Sequence, residues 1–507
     1  MIALRHLRLI AICIGIINTT ACYTAWQHFG WQGLRSRPLA LVSGLLAIVV
    51  IMLCILLSVE SQRKLEKYRS RIWEICKPSN QSPPKSTTLA KICVLCATLA
   101  FLSITATFLS ILNNESDSDP AAFLRFAQQV KLNGGPLSLI TGLYTGEYIQ
   151  ANQHPFYIAL LSIAPTLTFG KTLSFIAALI TYLIVSIHLI RTRGWQMAAI
   201  ATTLLSTNYA FTYFGGLATC ESWLTLWFTL CWILLDRAVL QGRLASSRKH
   251  WFAAGLLMGL VYLTKGTGTL FLAGLCLAGL STYYWKDDNN TNSTQPARIQ
   301  RVRSAVATLL IILTGWVITA HPLLIRNTLV YQSPTFNVNT YFLYMDEFPD
   351  EPAIQAKLAA SHSLPEVIQT YWEKHTFEEL LKREVHGIGW ESFVFIRSFG
   401  PSPIDDSRVL FAIPLLIFLS LMMLHLPVGL KVFVGSLIVM SMLILAWYIP
   451  IAVGQRFTAP MLPMLLCYAA AGLNHAIENS NKVSSRLVCI AGISWATLWT
   501  VWTVVLL

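Results

Sequence analysis

Residues 39–59 read LALVSGLLAIVVIMLCILLSV, a 21-residue run with no charge and apolar residues on every helical face. A run of that length matches the roughly 20 residues an α-helix needs to cross a bilayer. Barrel strands would instead alternate over about ten residues, so this pattern excludes a transmembrane β-barrel. Comparable runs occur at Leu7 to Trp26, Leu89 to Leu112, Thr172 to Ile190, Gln196 to Phe214, Leu217 to Leu235, Trp251 to Thr264, Thr269 to Trp285, Ala305 to Leu324, Val409 to Leu426, Val432 to Pro450, Phe457 to Leu473 and Leu487 to Leu507, which with the first makes 13 candidate spans. The 507 residues are 55% hydrophobic and 12% charged, with a mean hydropathy of +0.57, which excludes a water-soluble globule. The fold expected is an all-α polytopic membrane protein of about 13 transmembrane helices, with a first outer loop of juxtamembrane helices and a second outer loop of about 80 residues.

Orientation follows from the basic turns. If the proline-containing segment His154 to Phe169 does not cross, Arg63 to Lys91, Arg191 and Arg193, Arg237 to Lys249, Lys286 to Arg303, Lys431, and Lys482 with Arg486 all fall on one side, as the positive-inside rule requires. That segment is therefore read as a juxtamembrane or re-entrant helix. Leu7 to Trp26 also has the form of a secretory signal peptide, since Arg5 and Arg8 precede its apolar stretch. Four regions result. Residues 1–88 form an N-terminal helical hairpin and a basic cytoplasmic loop, and 89–325 form a transmembrane core with a first outer loop at 113–153. Residues 326–406 form the second outer loop, and 407–507 the C-terminal transmembrane helices. The second outer loop is acidic, with 12 Asp or Glu against 6 Lys or Arg, and mixed short helices packed over the membrane mouth are expected there.

The net charge of +13, from 37 basic and 24 acidic residues, reads as cytoplasmic-loop bias, and no basic and aromatic patch points to nucleic acid. All 11 cysteines lie in or beside apolar runs, so Cys93 and Cys96 are packing residues rather than a redox pair and no external disulfide framework is indicated. Low-complexity sequence is confined to Ser79 to Thr88 and Asp287 to Gln295, and no internal repeat of the inverted-transporter kind is visible.

The topology collects Asp117, Asp119, His154, Glu221, Lys265, Arg326 and Arg456 at the outer ends of spans. Ionisable residues at membrane depth normally line a cavity or pathway. The run ending at Lys265 reaches only about 21 Å at 1.5 Å per residue, short of a hydrocarbon core of about 30 Å, so Lys265 sits below the outer surface. Gly266 and Gly268 beside it permit close backbone approach by a ligand, whereas a lysine snorkelling to headgroups needs no ligand. Arg326 and Arg456 suit an anionic group, because a planar guanidinium grips two phosphate oxygens at once; interfacial anchoring is the plainer alternative. Glu221, read as one turn inside its span, can orient one of these cations. Asp119, Phe123 and Ala127 share a helical stripe, although Asp119 before Pro120 also reads as a helix N-cap.

In order along the chain, these segments resemble the polyprenyl-phosphate-sugar-dependent membrane glycosyltransferases of the GT-C fold, the superfamily of protein O-mannosyltransferases and lipid A aminoarabinose transferases. The resemblance is carried by Asp119-Pro120-Ala121-Ala122-Phe123 continuing to Ala127, by Asn152-Gln153-His154-Pro155-Phe156-Tyr157, by Glu221, by Gly255 to Lys265, by Arg326-Asn327, and by Arg456-Phe457 with Pro460 and Pro463. It covers roughly Leu89 to Leu473. Asp117-Ser118-Asp119 also resembles the metal-binding acid pair of soluble nucleotide-sugar enzymes. Relatives often have two adjacent prolines with a preceding lysine where this chain has His154 and one proline, and lipid A transferases place a basic residue where Ala122 stands.

The resemblance implies an integral plasma (inner) membrane enzyme with its active site on the outer or periplasmic face. It would move a sugar, with inversion, from a polyprenyl-phosphate carrier to a hydroxyl of a lipid, glycan or protein acceptor. Asp119 would be the catalytic base, Lys265, Arg326 and Arg456 would hold phosphate, and Asp117, His154 and Glu221 would complete the substrate site. No cofactor is required by this reading, and a divalent metal stays open. A flippase or transporter of an amphiphilic lipid-linked substrate would use the same cations without the acid, and an O-antigen-ligase-like transferase would take a preassembled glycan.

Overall fold

The computed structural model describes residues 88–112, 118–150, 153–242, 244, 247–284, 298–347, 364–402, 408–452, 454–478 and 485–506. The expected spans at Leu7 to Trp26 and Leu39 to Val59, the basic loop 63–87, and Asp117 lie outside these residues. Among the described residues there is no β-strand, only an isolated bridge between Asn208 and Pro401.

The helices are α1 (Thr88–Ile111), α2 (Ser118–Leu132), α3 (Pro136–Thr145), α4 (Pro155–Leu161), α5 (Leu167–Arg193), α6 (Trp195–Thr207), α7 (Tyr209–Gly215), α8 (Glu221–Leu240), α9 (Arg248–Thr264) and α10 (Gly268–Tyr284). They continue as α11 (Arg298–Tyr331), α12 (Val338–Phe342), α13 (Leu364–Lys374), α14 (Phe377–Ser398), α15 (Arg408–His425), α16 (Val428–Tyr448), α17 (Leu462–Glu478) and α18 (Ser485–Leu506). Eight of the described helices are long and apolar enough to cross a membrane, namely α1, α5, α8, α11, α15, α16, α17 with the turn before it, and α18. The chain is an integral membrane protein.

Two of the 13 expected spans lie outside the described residues, and three of the remaining eleven are not among these eight for local reasons. The run Gln196 to Phe214 is two helices, 13 and 7 residues long, broken at Asn208. The Asn208 side chain caps α7 by accepting from Phe211 N at 3.0 Å, and its amide donates to the Ser398 carbonyl at 2.8 Å. Tyr209 N donates to Gly400 O, and Ser402 N to Thr207 O. A helix can break inside an apolar bundle when neighbouring backbone satisfies the freed groups in this way. The helices α9 and α10 have 17 residues each, about 25 Å long. The seven residues of α4 reach only about 10 Å, and a turn then leads into α5.

Helix α9 is set against α11 by small residues. A Cβ at Gly255 would lie 2.3 Å from the Ile312 carbonyl oxygen, one at Gly259 2.4 Å from Thr319 Cβ, and one at Gly315 2.5 Å from the Phe252 carbonyl oxygen. Only glycine permits such an approach, as in other small-residue helix seams. At the end of the bundle away from Glu221, Asp236 on α8 is 1% exposed and receives His188 Nε2 at 2.9 Å and Arg193 Nη2 at 3.0 Å, both from α5. These bonds neutralise a buried charge and fix the register of α5 against α8.

The segment expected to be mixed short helices over the mouth contains α14, a 22-residue helix whose second half is built into the bundle. Its first turn is closed by a capping box between Thr376 and Glu379. Farther along, a Cβ at Gly387 would meet the Ala446 carbonyl oxygen of α16 at 2.0 Å. Arg383 pins this helix down, since it donates to the Trp447 carbonyl at 2.9 Å and lies between the Trp447 and Tyr371 rings at 4.8 and 5.4 Å.

Candidate functional site

Four charged side chains from four places in the chain meet at one end of the bundle. Glu221 is the first residue of α8, not one turn inside it as expected, and it is 2% exposed. Its Oε1 accepts from Lys265 Nζ at 2.6 Å. Lys265 ends α9 in an extended conformation (φ −157°, ψ 143°), which lets its side chain leave the helix axis and reach across to α8. Arg456, in the turn before α17, is ion-paired with Asp119 in the first turn of α2. Phe457 joins the two pairs, because Lys265 Nζ lies 5.4 Å and the Arg456 guanidinium 5.0 Å from its ring centre. The fields of Lys265 and Arg456 both reach the Glu221 carboxylate.

Access is graded across the cluster. Side-chain exposure is 3% for Glu221, 20% for Lys265, 28% for Arg456 and 37% for Asp119. Asp119 is therefore the more accessible of the two acids, and Glu221 is the buried one, paired with Lys265. Glu221 Oε2 and Arg456 Nε are buried and make no hydrogen bond among the described residues, although Thr219 lies beside the former. A narrow cleft lined by Leu224, Thr267, Ser441, Arg456, Phe457 and Pro460 opens against the cluster. A larger cavity of about 460 Å³ lies on the other face of α2, lined by Leu124, Arg125, Gln128 and Thr166 among others, and includes none of the four charges.

Asp119 uses its carboxylate on Arg456, and α2 begins one residue earlier, at Ser118. Phe123 and Ala127 on the same stripe are buried, and the Phe123 ring stands edge-on to Tyr157 at 5.0 Å, which fixes α2 over α4. His154, 6% exposed, donates from Nδ1 to the Tyr262 carbonyl. A carbonyl can only accept, so this bond leaves Nε2 as the acceptor nitrogen of the neutral ring. Burial, reinforced by the fields of Arg326 and Lys265, lowers the His154 pKa to about 4, so the ring is uncharged at neutral pH.

Arg326 is placed differently from the sequence expectation. It lies within α11, not after a span, and is 3% exposed. Its Nη1 donates to the Tyr148 and Gln150 carbonyls, and its guanidinium stacks between the rings of Tyr148 and Tyr331. Asn327 beside it donates to the Pro334 and Phe336 carbonyls. The Arg-Asn pair thus ties two loop segments to α11, while Lys265 and Arg456 both approach the Phe457 ring. The close approach expected at Gly266 is made by Asn337, whose Nδ2 would be 2.6 Å from an added Cβ. Asp117 lies outside the described residues, and among those described no three His, Cys, Asp or Glu side chains group as metal ligands.

Sequence reasoning gave Phe457 no role beyond its motif, and gave none to Gln455, Arg397 or Arg408, which gather one residue along from Arg456. The available signal was their position, since Arg397 and Arg408 flank the short polar stretch between α14 and α15.

No protein-family model and no curated protein sequence matches this chain. Among solved structures, the chain is similar to the Archaeoglobus fulgidus oligosaccharyltransferase carrying a tethered acceptor peptide, at 14% identity and a TM-score of 0.38, over 82% of this chain and 55% of that one. It is also similar to ArnT from Cupriavidus metallidurans bound to undecaprenyl phosphate, at 12% identity and a TM-score of 0.33, over 76% of this chain and 78% of that one. The chain thus spans just over half the length of the archaeal enzyme.

Proposed function

We propose that this protein is a membrane glycosyltransferase that moves a sugar from a polyprenyl-phosphate carrier to an acceptor hydroxyl at the outer face of the membrane. The observation that carries the reading is the meeting of Asp119 with Arg456 and of Glu221 with Lys265 around Phe457. Two cations at the mouth of an apolar bundle suit a lipid-linked phosphate, and an accessible carboxylate beside them suits a hydroxyl nucleophile.

Asp119 takes the proton of the acceptor hydroxyl as its oxygen bonds to the anomeric carbon. The bond from that carbon to the carrier's phosphate oxygen breaks on the opposite face, and its electron pair leaves with the phosphate. Lys265 and Arg456 stabilise the resulting negative charge, while Glu221 keeps Lys265 protonated and oriented. Attack opposite to departure gives inversion. His154, neutral with Nε2 as acceptor, is suited to a sugar hydroxyl, and Arg326 serves as a positioning residue that fixes the loop before His154.

The test is native mass spectrometry of the purified protein with undecaprenyl phosphate, followed by transfer assays from a pool of polyprenyl-phosphate sugars. Carrier binding that is lost in Lys265→Met and Arg456→Gln, together with transfer lost in Asp119→Asn, supports the reading. A wild-type protein that binds no carrier overturns it.

A further inference from the structure

Helix α2 is used on two faces. From one, Asp119 reaches Arg456 and Phe123 packs on Tyr157. On the other, Arg125, Gln128, Gln129 and Leu132 follow one another at steps of three and four, and they form one wall of the 460 Å³ cavity. Thr166 and Leu167, where α5 begins, belong to the opposing wall. That volume lies within the roughly 300 to 1,000 Å³ of small-molecule sites.

The polar groups of this cavity are unspent. Among the described residues, the side chains of Arg125, Gln128 and Gln129 make no hydrogen bond or ion pair, and the Arg125 guanidinium rests over the Phe126 ring at 5.1 Å. Thr166 Oγ1 accepts from Phe169 N at 3.2 Å, which leaves its hydrogen to donate. Arg125 is the one charged residue of the lining. A ligand that carries a negative charge supplies its missing counter-ion, and the two amides and the hydroxyl suit further oxygens beside that charge.

The cavity also stands where the bundle meets lipid. Leu167 is the first residue of a 27-residue span. Leu132 is 80% exposed, and Ile163, in the turn before α5, is 58% exposed. Large apolar side chains left open beside a cation suit an amphiphile, since neither a soluble sugar nor a free anion would cover them.

We infer that this cavity binds the headgroup of an anionic phospholipid of the surrounding membrane. Arg125 takes the phosphate, Gln128, Gln129 and Thr166 take the other headgroup oxygens, and Leu132 and Leu167 meet the acyl chains. The lipid bridges α2, which carries Asp119, to the span α5. The site is separate from the cluster of Asp119, Glu221, Lys265 and Arg456, and it does not depend on the transferase reading.

The experiment uses the full-length protein in one neutral detergent, a phosphatidylglycerol with a photoreactive headgroup, and mass-spectrometric mapping of the labelled peptides. Wild type is expected to be labelled in α2 and in the turn before α5. Unlabelled phosphatidylglycerol should displace the probe at about a tenth of the concentration that phosphatidylcholine with the same chains requires. Arg125→Gln should lower α2 labelling about tenfold. Lys131→Gln removes a cation of α2 that does not line the cavity, and should leave labelling within about twofold of wild type. Both positions are exposed, so thermal unfolding of the two variants should match wild type. The inference is overturned if wild-type α2 is not labelled, if labelling survives in Arg125→Gln, or if it falls equally in Lys131→Gln. Equal displacement by the two phospholipids shows no selection for charge and also overturns it. Glycerol phosphate that displaces the probe as well as the lipid does assigns the cavity to a soluble anion, and polyprenyl phosphate that displaces it more tightly than phosphatidylglycerol assigns it to the carrier; each result overturns the inference. All of these outcomes leave the transferase reading standing, because that reading is tested by carrier binding at Lys265 and Arg456 and by Asp119→Asn.

Discussion

Asp119 and Arg456 are 337 residues apart in the chain and form an ion pair that closes α2 onto the turn before α17. With exposures of 37% and 28%, the pair is well solvated, and its contribution to stability is about 1 kcal/mol or less. Its consequence is positional. Asp119→Asn is expected to lower transfer by about 10² to 10⁴ while unfolding and carrier binding change little. Turnover rates beside carrier titrations check this, and an Asn variant with near-normal turnover removes Asp119 from the role of base.

Glu221 and Lys265 should behave in the opposite way. Their carboxylate is almost fully buried, so removing one partner leaves an uncompensated charge at membrane depth. Glu221→Gln and Lys265→Met are each expected to cost roughly 2 to 4 kcal/mol of stability, and the double variant less than the sum. Thermal unfolding of the four proteins in detergent measures the coupling. Additive losses would mean that the contact contributes nothing.

Arg326→Gln is expected to destabilise the protein by roughly 2 kcal/mol, because the Tyr148 and Gln150 carbonyls lose their donor. Its effect on carrier affinity should be smaller than those of Lys265→Met and Arg456→Gln. An affinity loss as large as theirs, in a variant that unfolds normally, would return Arg326 to the phosphate.

The His154 pKa of about 4, against an ordinary 6.5, makes stability depend on pH. Between these values the unfolded chain binds the proton and the folded one does not, so stability rises with pH across the window. The full benefit is present above about 6.5, is lost as pH falls toward 4, and amounts to roughly 3 kcal/mol. Unfolding measured at pH 5 and pH 7.5 should show a smaller difference in His154→Gln than in wild type. Identical differences would mean that the imidazole is not held neutral.

Sidedness is tested with single cysteines in a cysteine-free background. Gln369 on α13 and Lys249 on α9 are both exposed. An impermeant maleimide added to intact cells should label Gln369→Cys and spare Lys249→Cys. Equal labelling is inconsistent with the proposed orientation.

Helix positions could be read from hydropathy because each span answers to one local requirement, a long apolar stretch. The break at Asn208 could not, since it depends on carbonyls at Ser398 and Gly400, 190 and 192 residues away. The same distinction divides the site. Asp119, Glu221, Lys265 and Arg456 stand at helix ends, where charge in an apolar setting is conspicuous. The partners of Arg326 are backbone carbonyls, which carry no residue-type signal. Glu391 was equally hidden; it is 1% exposed, with no hydrogen bond to either oxygen among the described residues, and its acidic loop gave no hint that its helix turns into the bundle.

The glycine seam between α9 and α11 bears on how this protein can vary. At Gly255, Gly259 and Gly315 an added methyl would overlap backbone or a β-branched Cβ, so no rotamer change relieves it. Any replacement must push the helices apart, and the backbone that ends at Lys265 moves with them. Three positions outside the charged cluster are thereby closed to neutral drift, whereas exposed residues elsewhere on the two helices remain free to change.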